Sequence, residues 1–240
     1  MADSQDALLS VVVVDSLAAV AVVGGFWLAV TWMRSFGKKV GYSLAPLGFS
    51  RPRGGILAAI GAGMAVGTGA ILLGMIVNPL SVLVLERLGY STKLTLQQPF
   101  MEGLVSWVHE SPGVAVPMIV LVVVLFGPAV EELVFRGAIF NGLYRLGAMI
   151  STRSIGTEHP QGPPRKTIFV ASALASSILF ALLHLEPVLL PALLILAIIL
   201  CALFLRSGSL LPSIVAHATF NAFPATLIIL RGLNVVNIPI

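Results

Sequence analysis

Glu131, Glu132, Arg136, His184, His217 and Asn221 are the polar residues of this chain that could do chemistry together, because each lies in or beside a long apolar run. In VLFGPAVEELVFRGAIF, Glu131 and Glu132 fall where a charged group needs a partner or a wet cavity. Glu132 and Arg136 are four apart, so one helical face carries a carboxylate and a guanidinium that lower each other's desolvation cost. Glu131 lies about 100° around the helix and stays free to exchange a proton. The plain alternative is a structural Glu-Arg pair with a spare glutamate at an interface. In SSILFALLHLEP, Phe180 precedes His184 by four residues and packs against the imidazole, with Glu186 as a nearby polar group. That histidine could equally bond to a neighbouring helix. In LLPSIVAHATFNAFP, His217 and Asn221 are also four apart and point an imidazole and an amide into one cavity, or else satisfy helix backbones or each other.

These residue types suit hydrolysis of a peptide bond. Glutamate accepts a proton from water, histidine holds that water or a metal, and asparagine donates to a developing oxyanion. A serine elbow of the G-x-S-x-G kind is absent, and the lone Cys201 sits in ILAIILCALFL, where a thiolate is disfavoured and a buried spacer is the expected role. H-E-x-x-H is also absent, yet Glu131, His184 and His217 could supply a zinc site assembled across helices, with water in the fourth position. No cofactor is required on the lead reading, and Zn2+ is the alternative. Convergence of the three polar segments in one cavity is more economical than three unrelated defects. Counting from the cytoplasmic ends, His184 lies deeper than His217, so tilts or different helix starts must reconcile them.

The elements that must position these groups are membrane helices. The 240 residues are 58% hydrophobic and only 10% charged, with a mean hydropathy of +1.02, which excludes an ordinary soluble surface. The expected fold is all-α, a polytopic helical bundle of about six crossings, from apolar runs near 7–32, 54–77, 114–148, 167–185, 188–205 and 209–230. The third run is too long for one straight span, and Gly127-Pro128 predicts a kink or a division into two shorter helices. A less diagnostic N-terminal region (1–112), a catalytic membrane core (113–230) and a short tail (231–240) follow. The net charge of +4 is grouped beside the apolar runs, not along a stripe, so it sets topology and points to no nucleic acid. Arg34, Lys38, Lys39, Arg51 and Arg53 place the 33–53 loop in the cytoplasm, Arg145, Arg153, Arg165 and Lys166 do the same for a connector at 149–166, and the amino terminus is then outside. The amino terminus has no basic region before its apolar run, so a cleaved signal is not expected.

With EELVFRG at 131–137, FALLH at 180–184 and LRSGSLLPSIVAHATFN at 205–221, the sequence resembles the CPBP family of intramembrane proteases. That family includes the Rce1-related CAAX prenyl endopeptidases and the Abi bacteriocin-processing or immunity proteins. The match is to its E-E-x-x-x-R, F-x-x-x-H and H-x-x-x-N pattern in order, over roughly residues 114–225. The resemblance implies that Glu131 activates water with His184, that His217 and Asn221 stabilise the transition state, and that Glu132 and Arg136, with Phe180, support the site. It implies a membrane-associated peptide or protein substrate, prenylated in one branch of the family. It also carries an alternative, a non-catalytic membrane interaction or bacteriocin-immunity protein on the same scaffold. The compact chain looks more like a prokaryotic plasma-membrane branch than a eukaryotic eight-span enzyme.

Overall fold

The structure, a computed structural model, describes residues 13, 16–29, 47–92, 97–153 and 165–237. Seven helices run through the described residues: α1 (Ser16–Ala29), α2 (Ile56–Arg87), α3 (Gln98–Glu110), α4 (Pro112–Ser151), α5 (Arg165–Leu183), α6 (Leu190–Ser207) and α7 (Leu211–Gly232). Five of them, α2, α4, α5, α6 and α7, are long and apolar enough to cross a membrane, and α1 is the described part of the first apolar run. The chain is an all-α polytopic membrane bundle. Its outer faces are apolar, as lipid contact requires, with Leu57, Leu72, Ile76 and Leu80 all exposed.

Of the forms expected for the third run, the extended, undivided one is present: α4 is a continuous 40-residue helix that absorbs the proline in a π-helical stretch, Val120–Phe126, and contains a second one, Leu133–Phe140. At 1.5 Å per residue such a rod is about twice the thickness of a hydrocarbon core, so its polar end projects beyond it. The connector expected at 149–166 is shorter, because helix persists to Arg153 and resumes at Arg165. Most of the basic 33–53 loop, Trp32, Asp15 and His159 lie outside the described residues. The amphipathic α3 was not among the expected runs. Pro99 at its start is a helix-opening signal, and Leu104, Trp107 and Val108 form its buried face.

Close approach of α2 to α7 fixes the frame around the site. A Cβ on Gly63 would lie 2.7 Å from the Pro212 carbonyl oxygen, and one on Gly67 would lie 2.5 Å from that of Ala216, so only glycine permits this packing distance. The wall next to His217 is thereby backed by α2 backbone. On the other side, Phe135, Phe180, Ala181, Leu193 and Ala197 join α4, α5 and α6 in one apolar cluster. Cys201 is buried beside it, as expected of a spacer.

Most of the described basic residues outside the core gather at one end, while Arg87 and Arg231 lie at the other. Arg53 bonds through its backbone N–H to the Ser207 carbonyl at 2.9 Å and through its guanidinium to that of Arg206 at 3.3 Å, while Phe140 meets Phe169 and Phe204 edge to face at the same end. The opposite end carries Glu86, Glu102, Glu110 and Glu186. On the charge-bias rule the Arg53 end is the one expected to face the cytoplasm. In a Cys201→Ala background, Arg51→Cys and Lys166→Cys are expected to react with an impermeant thiol reagent only from the cytoplasmic face, and Glu110→Cys only from the other. The reverse pattern would invert the orientation.

Candidate active site

The two carboxylates leave α4 just after its first π stretch and enter different surroundings. Glu132 is fully buried, and its Oε1 accepts hydrogen bonds from Arg136 Nη1 at 2.7 Å and from His217 Nδ1 at 3.0 Å. A carboxylate only accepts, so Nδ1 of His217 carries a proton and Nε2 is the position whose protonation can change. That Nε2 faces Glu131 Oε2 at 3.8 Å, and the Glu131 side chain is 28% exposed. One imidazole on α7 thus touches both glutamates of α4.

Arg136 is itself buried; its Nη2 reaches the Ala197 carbonyl oxygen at 3.4 Å and its guanidinium carbon lies 4.7 Å above the centre of the Phe180 ring. Phe180 is the apolar hub. Its centroid is 4.6 Å from that of His184, 5.7 Å from that of His217 and 5.1 Å from that of Phe135. The expected packing of Phe180 on His184 is present, and both imidazoles rest on the same ring. His184 follows the last residue of α5, and its Nδ1 donates to the Phe180 carbonyl oxygen at 2.8 Å. Helical side chains tilt toward the N-terminus, so His184 folds back toward His217 and the apparent difference in depth shrinks. With Nδ1 committed to a carbonyl, a neutral His184 presents Nε2 as a base or ligand.

Asn221 lies one turn beyond His217 on α7. Its Nδ2 donates to the Val123 carbonyl oxygen at 3.2 Å, inside the first π stretch of α4, so the backbone contact open in the sequence is made. Ser176 does the same in the second π stretch, donating to the Phe135 carbonyl oxygen at 3.1 Å. Glu186 does not reach His184 with its carboxylate. Its Oε1 accepts the backbone N–H of Gln97 at 3.0 Å, while Gln97 Nε2 donates to the His184 carbonyl oxygen at 3.1 Å.

Gln97 was not singled out in the sequence, since TLQQPF offers only a helix start. Yet it holds the turn that carries His184. Leu185 in that turn has φ 54°, in the left-handed region, which costs a non-glycine residue about 1–2 kcal/mol and persists only where neighbours over-determine it. Gln97→Ala removes one of those neighbours. Hydrogen exchange across 185–190 should speed up roughly tenfold, the equivalent of about one lost hydrogen bond. Unchanged exchange would mean that the turn holds itself.

Glu131 Oε2, Glu132 Oε2 and Arg136 Nε are buried with no hydrogen-bond partner among the described residues, so the cluster has bonding capacity left for water or a substrate amide. No group of three His, Cys, Asp or Glu side chains among the described residues could hold a metal ion.

The family model for type II CAAX prenyl endopeptidase Rce1-like proteins matches residues 113–223, a little under half of the chain. This chain carries a Rce1-like segment. Over those residues the chain is similar to that endopeptidase family. The Rce1-like segment runs from the start of α4 to the middle of α7, and so contains every residue of the cluster just described. No curated protein and no solved structure matches the chain.

Proposed function

We propose that the chain is an intramembrane endopeptidase that hydrolyses a peptide bond in a membrane-associated peptide or protein. The observation that carries this reading is the cluster of Glu131, Glu132, Arg136 and His217 among apolar helices, with His184, its Nδ1 bonded to the Phe180 carbonyl, packed on the Phe180 ring that also meets His217. Charged groups at membrane depth mark function by default.

In this reading Glu131 takes a proton from a water that also donates to Nε2 of His184, and the hydroxide attacks the carbonyl carbon of the scissile bond. His217 lies between the carboxylates. A proton relayed from Glu131 to its Nε2 leaves an imidazolium facing Glu131 and Glu132, which can stabilise the tetrahedral oxyanion and return the proton to the leaving amine. Glu132 and Arg136 hold His217 in place. Asn221, given an oxyanion role by the resemblance, has one amide hydrogen already committed. A prenyl group on the substrate fits the Rce1-like match and the lipid-facing exterior, and the membrane is proposed to be a prokaryotic plasma membrane.

This mechanism uses no metal. Protein freed of metal, with its content checked by elemental analysis, is expected to keep cleaving membrane-anchored peptides in bilayers. Loss of cleavage on removal, regained with one zinc per chain, would transfer His184, His217 and Glu131 to ligand roles. No cleavage of any prenylated or unmodified anchored peptide, with an interaction phenotype kept in Glu131→Gln, would favour the immunity or interaction alternative.

A further inference from the structure

Helix α4 has to pass a proline before it delivers its two glutamates, and its hydrogen bonds show how it does so. In an α-helix the carbonyl of Val123 would accept from the N–H of Gly127. Here the Gly127 N–H goes instead to Val122, five residues back, in the π register. In that register the donor for Val123 is residue 128, which is Pro128 and has no N–H. The Val123 carbonyl would be orphaned in an apolar bundle, were it not for Asn221 on α7, whose amide donates to it at 3.2 Å.

We infer that Asn221 is a positioning residue: its side-chain amide stands in for the N–H that Pro128 lacks, and so fixes the register in which α4 presents Glu131 and Glu132 to His217. Each extra residue taken up by a π turn rotates everything that follows by about 100°. Glu131 is three residues beyond Pro128, and Glu132 must meet a histidine on α7 at 3.0 Å. A slip of one residue would turn both carboxylates away from it. Asn221 and His217 sit one helical turn apart on α7, so the same helix face that receives Glu132 also sets the bulge that aims it. The four-residue spacing of histidine and asparagine is then a geometric device, with the amide acting through the backbone of α4 and not on the substrate.

The consequences for catalysis rest on the endopeptidase reading above, but the structural coupling does not. The test is a double-variant cycle in bilayer-reconstituted protein with Asn221→Ala, Pro128→Ala and both together, read by thermal midpoint and by cleavage of an anchored peptide. Asn221→Ala alone should lower the midpoint by several degrees and kcat by at least tenfold, with KM changed less than twofold. Pro128→Ala restores a backbone N–H at 128, so adding Asn221→Ala to it should lower the midpoint by no more than a degree and kcat by less than threefold. Asn221→Asp, which has the same shape but no N–H, should behave as Asn221→Ala does. Equal losses from Asn221→Ala in both backgrounds would overturn the proposal and return the amide to the oxyanion. If the wild type cleaves nothing, the midpoints still decide the coupling, and only the endopeptidase reading fails.

Discussion

Glu131→Gln is expected to abolish detectable cleavage while leaving insertion and folding intact. The amide has the same shape as the carboxylate but cannot take a proton from water, and a general base contributes about 10²–10⁴ in rate. Loss at the upper end is expected, because the neighbouring carboxylate is no substitute: Glu132 is fully buried and its Oε1 already accepts from Arg136 and His217. Stability should barely move. The Glu131 side chain is 28% exposed and its contact with His217 is long, at 3.8 Å, so the neutral replacement disturbs little packing. His184→Ala should lose cleavage as well, without touching the Glu132–Arg136 pair. Cleavage rates of purified variants against a membrane-anchored peptide, beside their thermal midpoints, separate the catalytic effect from the structural one. A Glu131→Gln protein retaining a tenth or more of wild-type rate would remove the base from the mechanism.

Arg136→Ala should act in the opposite way, through the fold. It strips the guanidinium from a glutamate that is 0% exposed, opens the bond to the Ala197 carbonyl and removes the cation from the Phe180 ring. Breaking a buried pair by removing one partner costs about 3–5 kcal/mol, against about 0–1 kcal/mol for an exposed pair. The loss is that large because a charge is left behind without its counter-ion, and the bilayer offers no water to replace it. Arg136→Lys keeps the charge but not the fork of donors that reaches Glu132 and Ala197 together, so it should recover only part of the midpoint. An exposed control, Arg51→Ala, should lose almost nothing. Midpoints of the three variants in one detergent give the comparison, and an alanine variant as stable as the wild type would show that Arg136 is not the internal counter-ion of Glu132.

What could be read in the sequence was what one helix decides by itself. The Glu132–Arg136 pair and the packing of Phe180 on His184 each follow from a four-residue spacing, and the apolar runs after residue 50 became helices to within a few residues, apart from the extension of α2 to Arg87. That the polar segments converge was expected, but which atoms meet between helices was not legible. Nothing in the spacing says that His217 touches both glutamates, or that Gln97, far away in sequence, holds the His184 turn. Pro128 announced a disturbance in α4, but whether it becomes a break or a bulge depends on a donor supplied from α7. Helix α3 was missed for a related reason: its apolar face is short and interrupted by polar residues, so burial against α7, not composition, defines it.

The most direct test of the account is cleavage of a membrane-anchored peptide in water enriched in oxygen-18, with the new carboxyl terminus read by mass spectrometry. Water activated by Glu131 and His184 predicts one solvent oxygen in that carboxylate from the wild type, no covalent acyl-enzyme on the chain, and no product from either Glu131→Gln or His184→Ala. Labelled product formed at the wild-type rate by both variants, or a trapped acyl-enzyme, would contradict it.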